Sequence, residues 1–211
     1  KIKTAAQANI VTHAHETYSP ITISQKNTEK IITIGASTGG PPAVEEVLVH
    51  LPKNSPPILI VQHMPLGFTK LFAERLDKLC SFQVKEAEQG DVIEQGFALI
   101  APAGQHMKVS SNGRVKLDKG PTQHGVRPAV DPMMKTASKV YKNQVIGVIL
   151  TGMGRDGSCG MQAIKENGGK TIAQNQKTCT VYGMPKTAIE EGNVDKVLPL
   201  TKIPKQIIKW C

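Results

Sequence analysis

Aromatic side chains are scarce in this chain: Phe, Tyr and Trp together make up 4% of its 211 residues. So few rings argue against the stacking platforms that hold single-stranded nucleic acid. No apolar run reaches eighteen residues, so the sequence offers no membrane-spanning helix. The four cysteines are Cys80, Cys159, Cys179 and Cys211. None forms a C-x-x-C pair, and none stands at zinc-finger spacing from a histidine. That pattern argues against a metal site and reads as reduced thiols in a cytoplasmic protein. The chain opens on Lys1, without an initial Met, and its first residues lack the order of a signal peptide. It is read as a piece of a longer protein.

Acidic charge is the scarcer sign. There are 17 Asp and Glu against 26 Lys and Arg, a formal net charge of +9. The lysines are dispersed and form no single run. Two readings remain: a solvated basic surface, or a surface that attracts an acidic protein partner.

Residues 1–29 are polar and lack periodicity, which predicts a linker or the tail of an upstream domain, with room for a short helix near its start. His13 and His15 fall there and read as solvated. Residues 30–211 form one regular unit. Apolar runs at 31–35, 57–62 and 145–150 suit buried strands. Helical spacing appears at 41–51, 67–80, 132–142 and 158–167. Short strands are expected at 171–173 and 196–199, and short helices at 186–191 and 203–210. Alternation of this kind predicts an α/β fold: a three-layer, doubly wound, mostly parallel sheet with helices on both faces. Residues 97–118 break the rhythm. Short strand candidates separated by Pro102-Ala103-Gly104 and Ser111-Asn112-Gly113 predict an antiparallel hairpin excursion there.

Open parallel sheets bind ligands beyond the carboxyl ends of their strands. The polar residues that follow the apolar runs are Ser37, His63 and Asp156. A hydroxyl, an imidazole and a carboxylate on one sheet edge are the parts of a nucleophilic triad. Ser37 lies in Gly35-Ala36-Ser37-Thr38-Gly39, a G-x-S-x-G elbow that exposes a serine on a tight strand-to-helix turn. Pro41 and Pro42 suit the first turn of the helix that follows. A glycine-rich turn that only packs or binds phosphate is the plainer alternative. An imidazole titrates near neutrality and is the expected general base for a serine hydroxyl. His50 ends a helix and His106 sits in the excursion; His124, in an irregular loop, is the serious rival of His63. Asp156 also suits a helix N-cap, and Asp131 is the alternative third member.

Two phosphate motifs are incomplete. Residues 152–157 match G-x-G-x-x-G, but no acidic residue follows at about twenty positions, as dinucleotide binding requires. Gly169-Lys170-Thr171 lacks the first glycine of a phosphate loop, since Ile164 stands in its place.

Three segments carry a family resemblance: Ile34-Gly35-Ala36-Ser37-Thr38-Gly39-Gly40, then Gln62-His63-Met64-Pro65 with Gly67-Phe68-Thr69, then residues 150–157. With Ala173-Gln174-Asn175 and Gly183-Met184-Pro185 they resemble, in order, the chemotaxis protein-glutamate methylesterases, the CheB family. The likeness runs from about Lys30 to the C-terminus. Its order of Ser, His, Asp differs from the α/β-hydrolase order of Ser, Asp, His. It implies Ser37 as nucleophile, His63 as base and Asp156 as orienting carboxylate, with the N–H groups of Thr38 and Met153 as oxyanion donors. It implies demethylation of glutamate γ-methyl esters, and deamidation of glutamine, on the cytoplasmic helices of chemoreceptors. It further implies an upstream phosphorylatable receiver domain joined through 1–29, and no cofactor. Arg155 departs from the small polar residue expected there. The competing readings are an esterase for small metabolites and a non-catalytic nucleotide-binding domain.

Overall fold

The computed structural model describes residues 29–211. The linker expectation for 1–29 therefore lies outside the described residues, apart from Glu29. The elements run β1 (Ile31–Ala36), α1 (Gly40–Val49), β2 (Ile58–Gln62), α2 (Phe68–Asp77), β3 (Gln83–Glu86), β4 (Phe97–Ile100), β5 (His106–Val109) and β6 (Val115–Asp118). They continue α3 (Val130–Tyr141), β7 (Val145–Ile149), α4 (Ser158–Glu166), β8 (Lys170–Gln174), α5 (Met184–Glu190), β9 (Lys196–Leu198) and α6 (Ile203–Trp210).

Seven strands form one parallel sheet in the order β3-β4-β2-β1-β7-β8-β9. The central strands β1, β2 and β7 are buried along their whole length. That burial is why their sequences read as unbroken apolar runs instead of alternating ones. Alternation persists in where the side chains go. Ile32, Ile34, Ile58 and Ile60 pack with α1, α2 and α6, while Ile31, Leu59 and Val61 pack with α3, α4 and α5. Each such buried side chain contributes about 1.5–3 kcal/mol, and the two cores together make the three layers. No helix among the described residues is long and apolar enough to cross a membrane.

The excursion is shorter than the sequence suggests. Phe97–Ile100 is not part of the hairpin but a parallel strand of the main sheet, seated between β2 and β3. Its four residues lie between turn signals on both sides, so its length gave no hint of a sheet strand. Its outer neighbour β3 has a weak pattern because it sits at the sheet edge. Among the described residues the antiparallel ladder is β5 with β6, turning through Ser110–Gly113, and isolated antiparallel bridges join Val92 to Arg114 and Gln123 to Val126. Gly113 there adopts φ 73°, the left-handed conformation an Asn-Gly turn requires.

After β1 the chain builds outward through β2, then returns across β1 to lay down β7. The carboxyl edge where strand order reverses is the usual place for a site. The residues following β1, β2 and β7 meet there.

Candidate active site

Ser37 and His63 follow two neighbouring strands in matched register, since Ala36 pairs with Gln62. The last rung of that ladder is the His63 N–H donating to Ala36 O at 3.1 Å. The chain then turns sharply at Ser37. Gly39 takes φ 77° as N-cap of α1, and Pro41 and Pro42 occupy the first turn. A side chain at Gly39 would also meet Thr180, 2.4 Å from its Cβ. The elbow predicted from G-x-S-x-G is therefore present as a strand–turn–helix. The Ser37 hydroxyl makes no hydrogen bond to a described residue and is partly exposed.

The turn is fastened to the loop after β7. Ser37 N donates to Thr151 O at 3.0 Å, and Thr151 Oγ1 donates to Thr38 O at 3.0 Å. Gly152 lies directly against the serine. A Cβ there would sit 2.7 Å from Ser37 Cβ and 2.4 Å from Met184 Sδ. The first glycine of the apparent G-x-G-x-x-G motif thus serves close packing on the elbow. Its last, Gly157, at φ 92°, is the N-cap of α4. The N–H groups of Thr38 and Met153 make no hydrogen bond to a described residue, and both residues are exposed. The Ser37 N–H is already committed to Thr151.

His63 is tied to Asp156 across 93 positions of sequence: its Nε2 lies 2.9 Å from Oδ2. Asp156 is 2% exposed, whereas the His63 side chain is 12% exposed. Nε2–H donates to the carboxylate, so Nδ1 is left as the nitrogen with a free lone pair. Asp156 accepts two further bonds, from Val130 N at 2.7 Å and Asp131 N at 3.1 Å. Burial works to raise its pKa. The bonds from His63, Val130 N and Asp131 N outweigh it and hold the carboxyl below its ordinary value.

The sequence allowed Asp156 to cap the helix that follows it. Instead it caps another helix, α3, whose first two N–H groups it receives. The exchange is reciprocal. Asp131, in the first turn of α3, accepts Gly160 N of α4 at 2.7 Å. Each carboxylate neutralises N–H groups that the other helix leaves unsatisfied.

The rivals are placed elsewhere. His124 Nε2 lies 2.9 Å from Asp131 Oδ2 and 4.0 Å from Asp156 Oδ1. His106 is buried between Pro121 O and Ala129 N. His50 closes α1 and bonds Glu46 O at 2.7 Å. The donor atoms of His124, Asp131 and Asp156 lie within 4.8 Å of one another, close enough to surround a cation. Their carboxylates already accept backbone N–H groups and histidine. Arg155 is paired at 2.9 Å with Glu191, the C-cap of α5.

A model of the CheB methylesterase family matches residues 32–207, most of the chain. The chain belongs to the CheB methylesterase family. Named relatives agree. A protein-glutamate methylesterase/protein-glutamine glutaminase of Clostridium acetobutylicum is 49% identical over 89% of this chain and 54% of its own. One of the same name from Pyrococcus abyssi is 51% identical over 84% of this chain and 50% of its own. The chain thus spans about half the length of these curated relatives. The crystal structure of the CheB methylesterase catalytic domain of Thermotoga maritima superposes with a TM-score of 0.83 at 49% identity. That match covers 86% of this chain and 98% of the other. The whole described fold is therefore that of a CheB catalytic domain.

Several residues of this CheB-type edge gave no signal on their own. Gln62, Thr151 and Gln174 are buried polar residues at or just past strand ends. Gln174 Oε1 accepts Thr151 N at 2.8 Å, which locks the loop after β7 onto β8. A polar residue closing an apolar strand run is the pattern that could have marked all three. Beside the edge, a groove of about 870 Å³ opens between α1 and α2, lined by Pro41, Met64, Phe68, Leu71 and Arg75 among others.

Proposed function

We propose that this domain is a serine hydrolase that removes methyl groups from glutamate γ-methyl esters, and deamidates glutamines, on the helices of bacterial chemoreceptors. The observation that carries this reading is geometric. A serine hydroxyl on a tight strand-to-helix elbow and an imidazole held by a buried carboxylate follow adjacent strands of one sheet. The names borne by the relatives support the substrate.

Ser37 Oγ attacks the ester carbonyl, and its proton passes to His63 Nδ1. Asp156 holds the ring through Nε2–H and stabilises the imidazolium that forms. Negative charge gathers on the carbonyl oxygen. The unpaired N–H groups of Thr38 and Met153 are the donors for it, and one such donor can lower the barrier by about 3 kcal/mol. The helix α1 begins two residues beyond Thr38 and adds its positive end. Collapse expels methanol, which leaves with the proton from His63, and the glutamyl group stays esterified to Ser37. Water then attacks while His63 takes its proton. Glutamate is released and the serine is restored. With glutamine the leaving group is ammonia, and the later steps are the same. No step calls on a metal or an organic cofactor.

The +9 net charge would draw acidic receptor helices toward the site and speed encounter. In this reading the domain works in the cytoplasm, and residues 1–29 join it to a phosphorylatable receiver domain. An esterase for small metabolites would place a closed apolar pocket around the serine. The groove between α1 and α2 is lined by neither Ser37 nor His63.

Methanol release from methylated receptor is the test. Ser37→Ala is expected to lower kcat by roughly 10⁵-fold or more while the circular dichroism spectrum is unchanged. Wild-type methanol release by that variant would reject the reading, and turnover of small esters without any on receptor would favour the metabolite esterase.

A further inference from the structure

We propose that Gln62 is a positioning residue that holds the nucleophile and the base in a fixed relation to each other. The inference rests on the reading of Ser37 and His63 given above. Gln62 is the last residue of β2 and is 2% exposed. Its Nε2 donates to Ser37 O at 2.9 Å and to His63 O at 3.1 Å. These are the main-chain carbonyls of the two reacting residues. The regular ladder between β1 and β2 ends one step earlier, at His63 N–H to Ala36 O. The side-chain amide supplies the rung that the backbone cannot, because the two strands diverge into their turns beyond that point.

The amide can face only one way. Two carbonyl oxygens on one side require the NH₂ group there, since an oxygen in its place would meet lone pairs on both. Its Oε1 is then left buried with no hydrogen-bond partner among the described residues. It is directed at Gly40, where an added Cβ would lie 1.9 Å away. The lack of a side chain at Gly40 leaves it room. The same Ser37 O also accepts Gly40 N at 2.8 Å, so Gln62 steadies the entry to α1 along with the elbow.

Gln62→Met keeps the volume and removes both donors. Gln62→Glu keeps the shape and, when ionised, removes both donors as well. In methanol release, each is expected to lose about 10- to 100-fold in kcat with KM within about 2-fold, because the reacting atoms are displaced without loss of substrate contacts. For Gln62→Glu, the ratio to wild type at each pH should recover as pH falls, since a protonated carboxyl regains one donor. Ser37→Ala is run beside them. If it is inactive while both Gln62 variants keep wild-type kcat, or raise KM alone, or only melt at lower temperature, the positioning role is wrong and the hydrolase reading stands. If Ser37→Ala is active, the hydrolase reading itself fails.

Discussion

Two histidine–aspartate pairs lie side by side in this domain, and by contact geometry they are nearly the same object. His63–Asp156 and His124–Asp131 each close at 2.9 Å, and each carboxylate is 2% exposed. Each aspartate accepts main-chain N–H groups at a helix start. What differs is the support of the imidazole. His63 continues a fully buried central strand beside the serine strand. His124 sits in a loop, with φ 53° and a side chain 31% exposed. Both couples form where the starts of α3 and α4 converge. In the proposed function, the neighbouring strand that presents Ser37 is what assigns the role of base to His63 and not to His124.

The sharpest way to break this comparison is to delete each member in turn. His63→Ala is expected to lower kcat for methanol release by roughly 10⁵-fold or more, and Asp156→Ala by about 10⁴-fold. His124→Ala should change kcat by less than about 3-fold. Asp131→Ala should cost about 1–3 kcal/mol in urea unfolding, because the Gly160 N–H loses its acceptor. A large kcat loss in His124→Ala with an active His63→Ala would reverse the two roles.

A smaller effect sharpens the electrostatic half of the comparison. The Asp156 pKa is lowered in the fold: burial opposes ionisation, and the bonds from His63 and the α3 N-terminus prevail. Its contribution to stability is then complete above the ordinary carboxylate pKa and is lost as pH falls through the depressed folded value. Urea unfolding of wild type and Asp156→Asn over a pH series should show a gap at neutral pH that closes in acid. A gap that widens in acid would mean the sign is wrong.

Much of this was legible in the sequence, and the reasons are physical. Strands β1, β2 and β7 could be read because strands buried on both faces leave continuous apolar runs. The elbow could be read because a sharp turn under a helix start needs Gly39 and tolerates Pro41 and Pro42. The place of strand β4 in the main sheet cannot be read from the sequence, because four residues between turns carry no record of which neighbour they pair with. The partner of Asp156 on α3 could not be read either. Capping across two helices depends on how α3 and α4 pack, and a local motif reports only the helix that follows it. Gln62 belongs to a motif that carries the family resemblance, but its two carbonyl partners exist only once β1 and β2 lie in register.

The most direct measurement is covalent trapping of the nucleophile with a fluorophosphonate, read by peptide mass spectrometry. One label per chain is expected on Ser37, formed at the wild-type rate in His124→Ala and at least about 10³-fold more slowly in His63→Ala. A label on any other residue, or equal labelling rates in His63→Ala and wild type, would contradict the roles of Ser37 as nucleophile and His63 as base.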